Sequence, residues 1–412
     1  MQKQHIAIVG AGTAGLAGAL ALAKLGHQVS LFERFASPEP VGAGILLQPI
    51  GLQALAQLDS HLLQVLKARG SAISHLEGLT TGGKRIMDIR YQQLEAGLHA
   101  LGMHRGNLFQ GLYQAVQQAG VGLHCGHEVV ASQQSGQQIT LRFADGRELS
   151  GFDGVIVADG THSKLRAGIM PRARCQPYPW GALWAITTRP ESLPDHCLAQ
   201  RYHRAGVMIG LLPSGLDPVT QQPCVSFFWS LPLAQIEAWQ QQPLSDWKQQ
   251  VIEHWPASEA ILQPLQREDF ALARYGDVTM RQWHSGRHLL IGDAAHGMSP
   301  QLGLGANLAL VDAVVLADCF AASPSPQAAF SEYSRRRQNH LRFYQRASRW
   351  LTPFFQSHSK TAAWLRDLGM PLTPHIPWIN RQALRCVGGY KTGMVFDRDL
   401  SLDQASDAER PG

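Results

Sequence analysis

Cysteine pairs are missing from this sequence. Its six cysteines stand alone, because none forms a Cys-x-x-Cys pair and none has the spacing of a zinc site. The sequence therefore predicts neither a dithiol disulfide reductase nor a structural metal. Isolated thiols are typical of a reducing compartment, so we expect a cytoplasmic protein.

A strong excess of one charge is also missing. The chain has 36 Lys and Arg residues and 31 Asp and Glu residues, which gives a net charge of +5 over 412 residues. Its densest basic run is Arg335-Arg336-Arg337, which the pattern places on a solvated helix face. No aromatic residues alternate with this run, so we expect no nucleic acid partner. The mild positive charge still favours anionic ligands such as dinucleotides.

Long uninterrupted hydrophobic runs are absent as well. The stretch from Leu16 to Leu25 contains Lys24 and glycines, so it predicts a buried helix and not a membrane span. The first apolar run begins at Ile6 and leads directly into glycines. We therefore expect no secretory signal and no stable membrane insertion. Apolar residues make up 45% of the chain and charged residues 16%, as is typical of a globular protein.

The most informative feature that is present is a glycine-rich turn. A short apolar strand, His5 to Val9, leads into Gly10-Ala11-Gly12-Thr13-Ala14-Gly15, a GxGxxG motif, and then into a helical stretch. The first glycine permits a tight turn, the second lets backbone amides approach a pyrophosphate, and the third lets the helix pack on the strand. Glu33 ends the next strand, where a carboxylate can bind ribose hydroxyls. These features predict a dinucleotide site but leave FAD and NAD open.

Two further strand ends carry carboxylates. Val155 to Ala158 is a short buried strand followed by Asp159-Gly160, and Leu289 to Ile291 is followed by Gly292-Asp293. The second strand is followed by a turn that is rich in glycine and then by an apolar helix. A carboxylate at such a position can hold a ribityl hydroxyl. The positive end of the helix can face the N1 and C2 edge of a flavin, which gains negative charge on reduction.

These three segments, in this order, resemble the FAD-dependent aromatic hydroxylases, the group A flavoprotein monooxygenases that include salicylate and para-hydroxybenzoate hydroxylases. Val41 to Pro49 resembles the family segment that runs beneath the flavin, and His104-Arg105 resembles the arginine that reaches the FAD. The resemblance covers about residues 5 to 350 and is strongest in the FAD-binding parts. Where the family often has Gly-Gln-Gly, this chain has Gly303-Leu304-Gly305.

The resemblance implies an α/β fold with a Rossmann-like FAD-binding domain, an inserted mixed β-sheet substrate domain and a C-terminal helical region. The expected FAD-binding domain is discontinuous and comprises residues 1–75, 100–170 and 280–330. Residues 76–99 and 171–279 would form the substrate domain, and 331–412 the C-terminal helical region and tail. The segment from Trp378 to Phe396 matches no phosphate loop, so we interpret it as a C-terminal strap that could form a subunit contact.

The resemblance also implies a role for each matching residue. The expected contacts to non-covalently bound FAD are Gly10, Gly12, Ala14, Gly15, Glu33, Arg34, Arg105, Val129, Asp159, Asp293, Pro300, Gly303, Gly305, Ala306 and Asn307. Pro300 would lie beside flavin C4a, where a hydroperoxide would form and transfer a hydroxyl group to the substrate. The reductant, NADH or NADPH, would bind in a surface cleft, since the chain has no second GxGxxG motif.

The substrate side offers several candidates. Phenol-like substrates are often activated by deprotonation, which His or Tyr can assist. The catalytic candidates are therefore Tyr202 and His203, with Pro300 on the flavin side and Tyr178 in the same presumed domain as the first two. The expected pocket residues, several of which could equally be core residues, are Leu47, Met208, Leu211, Phe227 and Trp229. His296 directly follows the Asp293 motif, and we expect a structural role for it.

The predicted function is hydroxylation of an aromatic or related conjugated small molecule, with NAD(P)H as reductant and molecular oxygen as oxidant, by a monomer or homodimer. A flavin-dependent halogenase is disfavoured, since Trp180-Gly181-Ala182-Leu183-Trp184 lacks the WxWxIP pattern of that family. Two alternatives stay open. One is a reductase or dehydrogenase of a quinone-like or prenyl substrate. The other is a non-catalytic FAD-binding partner protein, which the departure at Leu304 favours slightly.

Overall fold

The computed structural model describes residues 3–38 and 44–393, in which nineteen strands and thirteen α-helices are found. The strands are β1 (His5–Val9), β2 (Gln28–Glu33), β3 (Gly44–Leu47), β4 (Ser71–Ile73), β5 (His75–Thr80), β6 (Arg85–Arg90), β7 (Ala100–His104), β8 (Gly122–Cys125), β9 (Val129–Ser135), β10 (Gln138–Phe143), β11 (Glu148–Phe152), β12 (Gly154–Val157), β13 (Arg174–Thr188), β14 (Cys197–His203), β15 (Val207–Leu216), β16 (Pro223–Pro232), β17 (Ala271–Thr279), β18 (His284–Ser285) and β19 (His288–Leu290). The helices are α1 (Thr13–Lys24), α2 (Pro49–Leu58), α3 (Ser60–Arg69), α4 (Arg105–Gln118), α5 (Arg166–Ile169), α6 (Ile236–Gln241), α7 (Leu244–His254), α8 (Glu259–Leu262), α9 (Asp293–His296), α10 (Gly305–Ala322), α11 (Pro326–Phe355), α12 (Lys360–Gly369) and α13 (Pro377–Gly388).

A six-stranded sheet forms the first layer, in the order β18-β19-β12-β1-β2-β8. Apart from the β18–β19 pair, neighbouring strands are parallel. β1, β12 and β19 are almost entirely apolar and buried, as parallel strands covered on both faces are. The carboxyl ends of β1, β2, β12 and β19 therefore meet at one edge of the sheet. This edge carries Gly10, Glu33, Asp159 and Asp293, and it is where ligands bind in open α/β sheets.

A seven-stranded mixed sheet forms the second large layer, in the order β17-β13-β16-β15-β14-β5-β6. Only β14 and β5 are parallel among its pairs in the described residues. One face packs on α6 to α8 through a tryptophan-rich core, and the other faces the C-terminal half of α11. The predicted α/β fold, with an added mixed sheet and C-terminal helices, is confirmed. Two three-stranded sheets, β11-β10-β9 and β3-β7-β4, complete the strands.

Helix α10 is the core helix of the fold. It is long and apolar enough to cross a membrane by length and composition alone, yet two thirds of it are buried inside the protein. It packs against α1, α2 and α11. Its apolar residues are therefore accounted for by contacts within the fold.

Helix α11 corrects one expectation from the sequence. Arg335 and Arg336 do lie at the surface, where both pair with Glu332. Arg337, by contrast, is completely buried. The basic run is therefore a solvated face in its first two residues only, because the third turns inward to a buried carboxylate, Asp312.

Candidate active site

The three motif glycines stand in different surroundings. Gly10 has φ of +101°, and a Cβ atom there would lie 2.5 Å from the Ala158 carbonyl oxygen. A Cβ atom on Gly15 would lie 1.8 Å from the Gly10 carbonyl oxygen. Both positions therefore require glycine for turn geometry and packing. A Cβ atom on Gly12 would meet no atom within 4 Å, so this glycine leaves open space in front of the α1 N-terminus.

The end of β2 lies beside this turn. Glu33 is buried, and its carboxylate accepts hydrogen bonds from the backbone amides of Ala11 at 2.8 Å and Phe35 at 3.0 Å. Arg34 is exposed and lies over the Phe35 ring at 4.6 Å. Val129 is a buried residue at the start of β9. Glu33 is thus placed to fix the glycine turn as well as to bind a ligand.

Asp159 carries a buried oxygen that lacks a partner. Within the described part of the chain, its Oδ1 atom makes no hydrogen bond. Its Cα atom lies 3.0 Å from the position of a Cβ atom on Gly10. Burial raises the pKa of Asp159, although hydrogen bonds from the Ser163 hydroxyl and from backbone amides oppose this. A carboxylate oxygen buried without a partner is suited to accept a hydrogen bond from a ligand.

Asp293 and the N-terminus of α10 lie next to each other. Asp293 is exposed at the start of α9, and a Cβ atom on Gly305 would lie 3.8 Å from its Oδ1 atom. Gly292, with φ of +57°, packs so closely on Ala14 that a Cβ atom there would lie 2.6 Å from the Ala14 side chain. Ala14 therefore holds this turn by packing. The carboxylate and the helix terminus together offer an acceptor and several amide donors to one ligand.

The turn before α10 keeps its backbone accessible. Pro300 is partly exposed, and Gly303 is exposed with φ of +61° and open space around it. Leu304, where the family often has glutamine, is buried against Gly389 of the C-terminal segment. Its side chain thus points into the protein. The backbone amides of Gly305 and Ala306, which are half-buried, remain at the helix start.

Asn307 and Leu47 are both fully buried. The Asn307 side chain accepts from the Gln48 amide at 2.8 Å, and donates to the carbonyls of Leu46 at 3.0 Å and Gly303 at 3.1 Å. It joins β3 to α10, and the expected contact of Asn307 with the flavin stays a prediction. Leu47 belongs to the main core, and its expected pocket role stays a prediction as well. The expectation for Val41, Gly42 and Ala43 falls outside the described residues.

Tyr202 and His203 cannot act on the same ligand. Neighbouring residues of a strand point to opposite faces of a sheet. The Tyr202 ring contacts Phe355 of α11, and its hydroxyl donates to Gln200 Oε1 at 2.9 Å. His203 lies on the other face, where it stacks on His254 at 4.9 Å. At most one of the two catalytic candidates can therefore face the substrate, and the catalytic role of either stays a prediction.

The same alternation divides the expected pocket residues. Met208 lies with Tyr202 and Phe228 on the face toward α11. The remaining three belong to the core beneath α6 to α8, and these are Leu211, Phe227 and Trp229. Trp229, for example, meets Trp247 of α7 edge to face at 5.9 Å. Of these four, only Met208 lies on the face toward α11. The other three are core residues beneath α6 to α8, which favours the core interpretation over the pocket role expected for them.

Comparison with known proteins identifies the ligand of this edge. The sequence profile of the FAD binding domain family matches residues 3–347. The chain belongs to this family. It is 29% identical to the aurachin C monooxygenase/isomerase of Stigmatella aurantiaca, over 88% of this chain and 92% of the relative. It is 25% identical to the 2-heptyl-3-hydroxy-4(1H)-quinolone synthase of Pseudomonas aeruginosa strain UCBPP-PA14, over 90% and 94%.

A solved structure supports the same fold. Klebsiella pneumoniae HpxO, complexed with FAD and uric acid, superimposes with a TM-score of 0.79 at 19% identity, over 93% of this chain and 97% of that chain. The predicted FAD-dependent aromatic monooxygenase, with FAD as cofactor and NAD(P)H and oxygen as co-substrates, is thereby confirmed. The alternatives of a reductase and of a non-catalytic partner are not supported.

Two tyrosines lie beside expected flavin contacts: Tyr178, which the sequence already offered as a candidate, and Tyr275, which it did not. The Tyr178 hydroxyl is buried and faces Gln301, the neighbour of Pro300; burial raises its pKa. Tyr275 accepts a hydrogen bond from Trp184 Nε1 at 3.2 Å. Burial raises the pKa of Tyr275, while the charge of Arg105 lowers it. Tyr275 reaches Trp184 because side chains alternate along β17 and because β17 pairs with β13. The alternation can be read from the sequence, but the pairing cannot.

A buried polar network supports the Gly292-Asp293 turn from below. Asp312 accepts from the Gly292 amide at 2.9 Å, from His296 Nε2 at 2.7 Å and from Arg337 Nε at 2.8 Å. Although burial alone would raise the pKa of Asp312, the charges of His296 and Arg337 hold it well below its usual range. Arg337 also donates to His340 Nδ1, and His340 Nε2 donates to the Gly389 carbonyl at 2.8 Å. The network therefore connects the C-terminal segment to the turn that carries Asp293.

One surface hollow lies away from this edge and is not where a ligand of such a sheet is expected. A hollow of about 530 Å³, lined by Gly26, Gln28 and Gly122 among others, lies at the amino ends of β2 and β8. Ligands of such sheets bind at the opposite, carboxyl ends. Among residues 3–38 and 44–393, no three His, Cys, Asp or Glu side chains come together as a metal site.

Proposed function

We propose that this monooxygenase hydroxylates a neutral, lipophilic aromatic ring system, such as a fused nitrogen heterocycle with a hydrocarbon substituent. The observation that carries the proposal is the face of the seven-stranded sheet toward α11. The apolar cluster at this face contains Trp184, Tyr202, Met208 and Phe228 of the sheet and Phe355 of α11, and Ser226 and Ser230 lie on the same side of β16 as Phe228. The 2-heptyl-3-hydroxy-4(1H)-quinolone synthase is a relative whose named product has this chemistry. A polar ring such as the uric acid bound to HpxO would leave its hydrogen-bonding groups unpaired against these side chains.

The position of this face relative to the flavin supports the proposal. A Cβ atom on Gly44 of β3 would lie 2.1 Å from the Ser226 hydroxyl, which shares its side of β16 with Phe228. The resemblance places the segment that contains β3 beneath the flavin. The aromatic face and the flavin ring therefore border the same space.

The buried cation at this face is already neutralised. Arg366 of α12 lies over the rings of Tyr202 at 5.2 Å and Phe355 at 5.5 Å. Its guanidinium donates to Asp367 Oδ1 at 2.8 Å and to the Phe354 carbonyl at 2.9 Å. Asp367 neutralises its charge, so Arg366 anchors α12 and does not call for an anionic substrate, although its Nη2 atom makes no hydrogen bond within the described residues. A neutral substrate fits this balance better than a carboxylate does.

The carboxyl edge of the six-stranded sheet fits FAD. Gly12 leaves room for the pyrophosphate, Glu33 and Arg34 border the adenosine, and the Asp159 oxygen without a partner and the Asp293 carboxylate accept hydroxyl groups. Val129 and Arg105 complete the outer contacts, and Pro300, Gly303, Gly305 and Ala306 border the ring. The domain limits are those expected from the sequence. The protein is soluble and cytoplasmic, and it acts as a monomer or homodimer.

The protein contributes electrostatics and the exclusion of water. When bound, FAD takes a hydride from NADH or NADPH and activates molecular oxygen. The N-terminus of α10 stabilises negative charge that develops on the neighbouring ring edge. The aromatic face excludes water from the substrate. Tyr275 packs against the aromatic face and the Tyr178 hydroxyl lies near Gln301, and because burial keeps both hydroxyl groups protonated they can donate a hydrogen bond to the substrate or relay its proton.

The test is a labelled-oxygen assay on the purified protein. FAD is confirmed by absorbance, and NADH and NADPH oxidation are followed with alkyl quinolones, with unsubstituted quinolones, with hydroxybenzoates and with uric acid. We expect an alkyl quinolone to accelerate NAD(P)H oxidation most and to gain one labelled oxygen atom. Labelled oxygen in a hydroxybenzoate or in uric acid, with none in the quinolones, would show that the proposed substrate class is wrong.

A further inference from the structure

The surface of the C-terminal helices is unusually apolar. In the described residues, twelve large apolar side chains are exposed, and eight of them fall between residues 350 and 379. They are Trp350, Trp364, Leu365, Leu368, Leu372, Ile376, Trp378 and Ile379, which are called the C-terminal apolar face below. Large apolar patches on soluble proteins mark contact surfaces, whereas isolated apolar residues do not.

This face is also surrounded by positive charge. Residues 340–393 contain eight Lys and Arg residues and a single acidic residue, Asp367, although Arg366 and Lys391 are buried and Arg349 pairs with Asp277. Arg346, Lys360 and Arg381 are exposed. Tryptophan and leucine beside Lys and Arg are the side chains of helices that lie in the interface of a membrane. An anionic lipid surface is therefore complementary to the face in both polarity and charge.

The helices that carry the face also cover the aromatic face proposed to border the substrate. Phe354 of α11 and Met370, which follows α12, pack into the cluster that contains Tyr202 and Phe228. A groove of about 270 Å³, lined in part by Trp180, Val207 and Lys360, lies where α12 begins. A lipophilic molecule that leaves a bilayer at this surface would thus be close to the aromatic face.

Two other occupants can be compared with a bilayer, namely a second copy of the chain and the residues after Gly393. A second copy bound through the same face would bring like-charged rims together, because a two-fold interface sets each residue patch against itself. The 19 residues after Gly393 carry five acidic residues and two arginines, so they could neutralise the basic rim within one chain. A bilayer alone provides both an apolar interior for the tryptophans and a continuous negative surface for the cations.

We propose that the C-terminal apolar face docks the enzyme peripherally on an anionic phospholipid bilayer, from which it receives its lipophilic substrate. Docking is an interfacial contact, with no helix crossing the membrane. The delivery of substrate rests on the proposed function, whereas the docking itself does not. The two parts can therefore fail separately.

Co-sedimentation of the FAD-loaded, full-length enzyme with lipid vesicles tests the docking. Vesicles of phosphatidylcholine alone are compared with vesicles that also contain phosphatidylglycerol. We expect binding to the anionic vesicles that weakens with added salt. The double variant Trp364→Ser/Trp378→Ser should lose at least about tenfold in vesicle affinity, since it removes two interfacial anchors. Lys360→Glu should lose at least about fivefold, since one cation near an anionic surface contributes about that factor.

A matched control uses apolar residues exposed elsewhere. The variant Leu149→Ser/Val219→Ser removes two such side chains outside the face and should bind vesicles as the wild type does. No binding of the wild type to either vesicle would overturn the proposal, as would equal losses in the control. A wild-type dimer that the two tryptophan substitutions dissociate, without vesicle binding, would assign the face to a second copy. Vesicle binding together with no turnover of any alkyl quinolone would leave the docking in place and reject the substrate.

Discussion

Arg337 Nε donates to Asp312 Oδ1 at 2.8 Å, and both side chains are completely buried. The pair joins the middle of α11 to α10, and through the second oxygen of Asp312 it reaches the Gly292 amide and His296. A buried charge left alone is costly, so each member of this group depends on the others. The expected structural role of His296 stays a prediction that the contact with Asp312 favours.

Replacing the central carboxylate should destabilise the protein strongly. Asp312→Asn leaves the Arg337 guanidinium buried without its counter-charge, which typically costs about 3–5 kcal/mol. Denaturant unfolding of the FAD-loaded enzyme measures this change. The control Glu332→Gln removes a carboxylate that pairs with Arg335 and Arg336 at the surface, and it should cost about 0–1 kcal/mol. Equal losses in the free energy of unfolding would show that the buried pair contributes no more to stability than the surface pairs do.

His340 should give the protein a measurable pH dependence. Burial, reinforced by the charge of Arg337, holds the pKa of His340 well below its ordinary value of 6.5. As the pH falls through 6.5, the unfolded chain therefore takes up this proton before the folded protein does. His340 thus lowers the free energy of unfolding below pH 6.5, and above that pH it leaves the free energy of unfolding independent of pH. We expect the free-energy difference between wild type and His340→Gln to shift by about 1 kcal/mol between pH 7.5 and 5.5. A difference that stays constant over this interval would mean that His340 is not held neutral.

Two glycines of the turn should separate folding from cofactor binding. Gly12→Ala adds a methyl group to open space, so the stability of the FAD-free protein should change little. The same methyl group would stand where a pyrophosphate approaches, and we expect FAD affinity to fall at least about tenfold. Gly15→Ala drives a Cβ atom into the Gly10 carbonyl and should destabilise the fold itself. Fluorescence titration with FAD and urea unfolding measure the two effects; unchanged FAD affinity in Gly12→Ala would place the pyrophosphate elsewhere.

Removal of the two tyrosine hydroxyl groups tests the proposed proton transfer. If Tyr178 or Tyr275 relays the substrate proton, its replacement by phenylalanine should lower kcat by about 10²-fold and alter the pH profile of kcat. Tyr113→Phe on α4 is the control, because it removes a tyrosine hydroxyl from a helix outside the aromatic face. If both variants keep the wild-type pH profile, neither tyrosine takes part in proton transfer.

The cofactor edge was predictable from the sequence because each of its features depends on residues that are close together in the chain. Each of the strands ending near Gly10, Asp159 and Asp293 is apolar and is followed by a turn, and parallel strands bring such ends together. The opposite faces of Tyr202 and His203 were also readable, since side chains alternate along a strand.

Other features depend on partners that are distant in the chain. Arg337 looks like its two neighbours in the sequence, and only Asp312, 25 residues earlier, determines that it is buried. Asn307 was expected at the flavin because its motif lies there, yet its amide is used by backbone atoms near residue 47, about 260 residues away. Such long-range pairings leave no local pattern in a single sequence.

The hydrogen bond from His340 to the Gly389 carbonyl also bears on where the enzyme ends. The family profile stops at residue 347, but the polar network beneath Asp293 continues beyond it, and Leu304 rests on the same glycine. The end of the matched profile and the end of the polar network are therefore different positions in this chain. A variant shortened to residue 347 would expose His340 and Leu304 together and would lose part of the support of its own cofactor site.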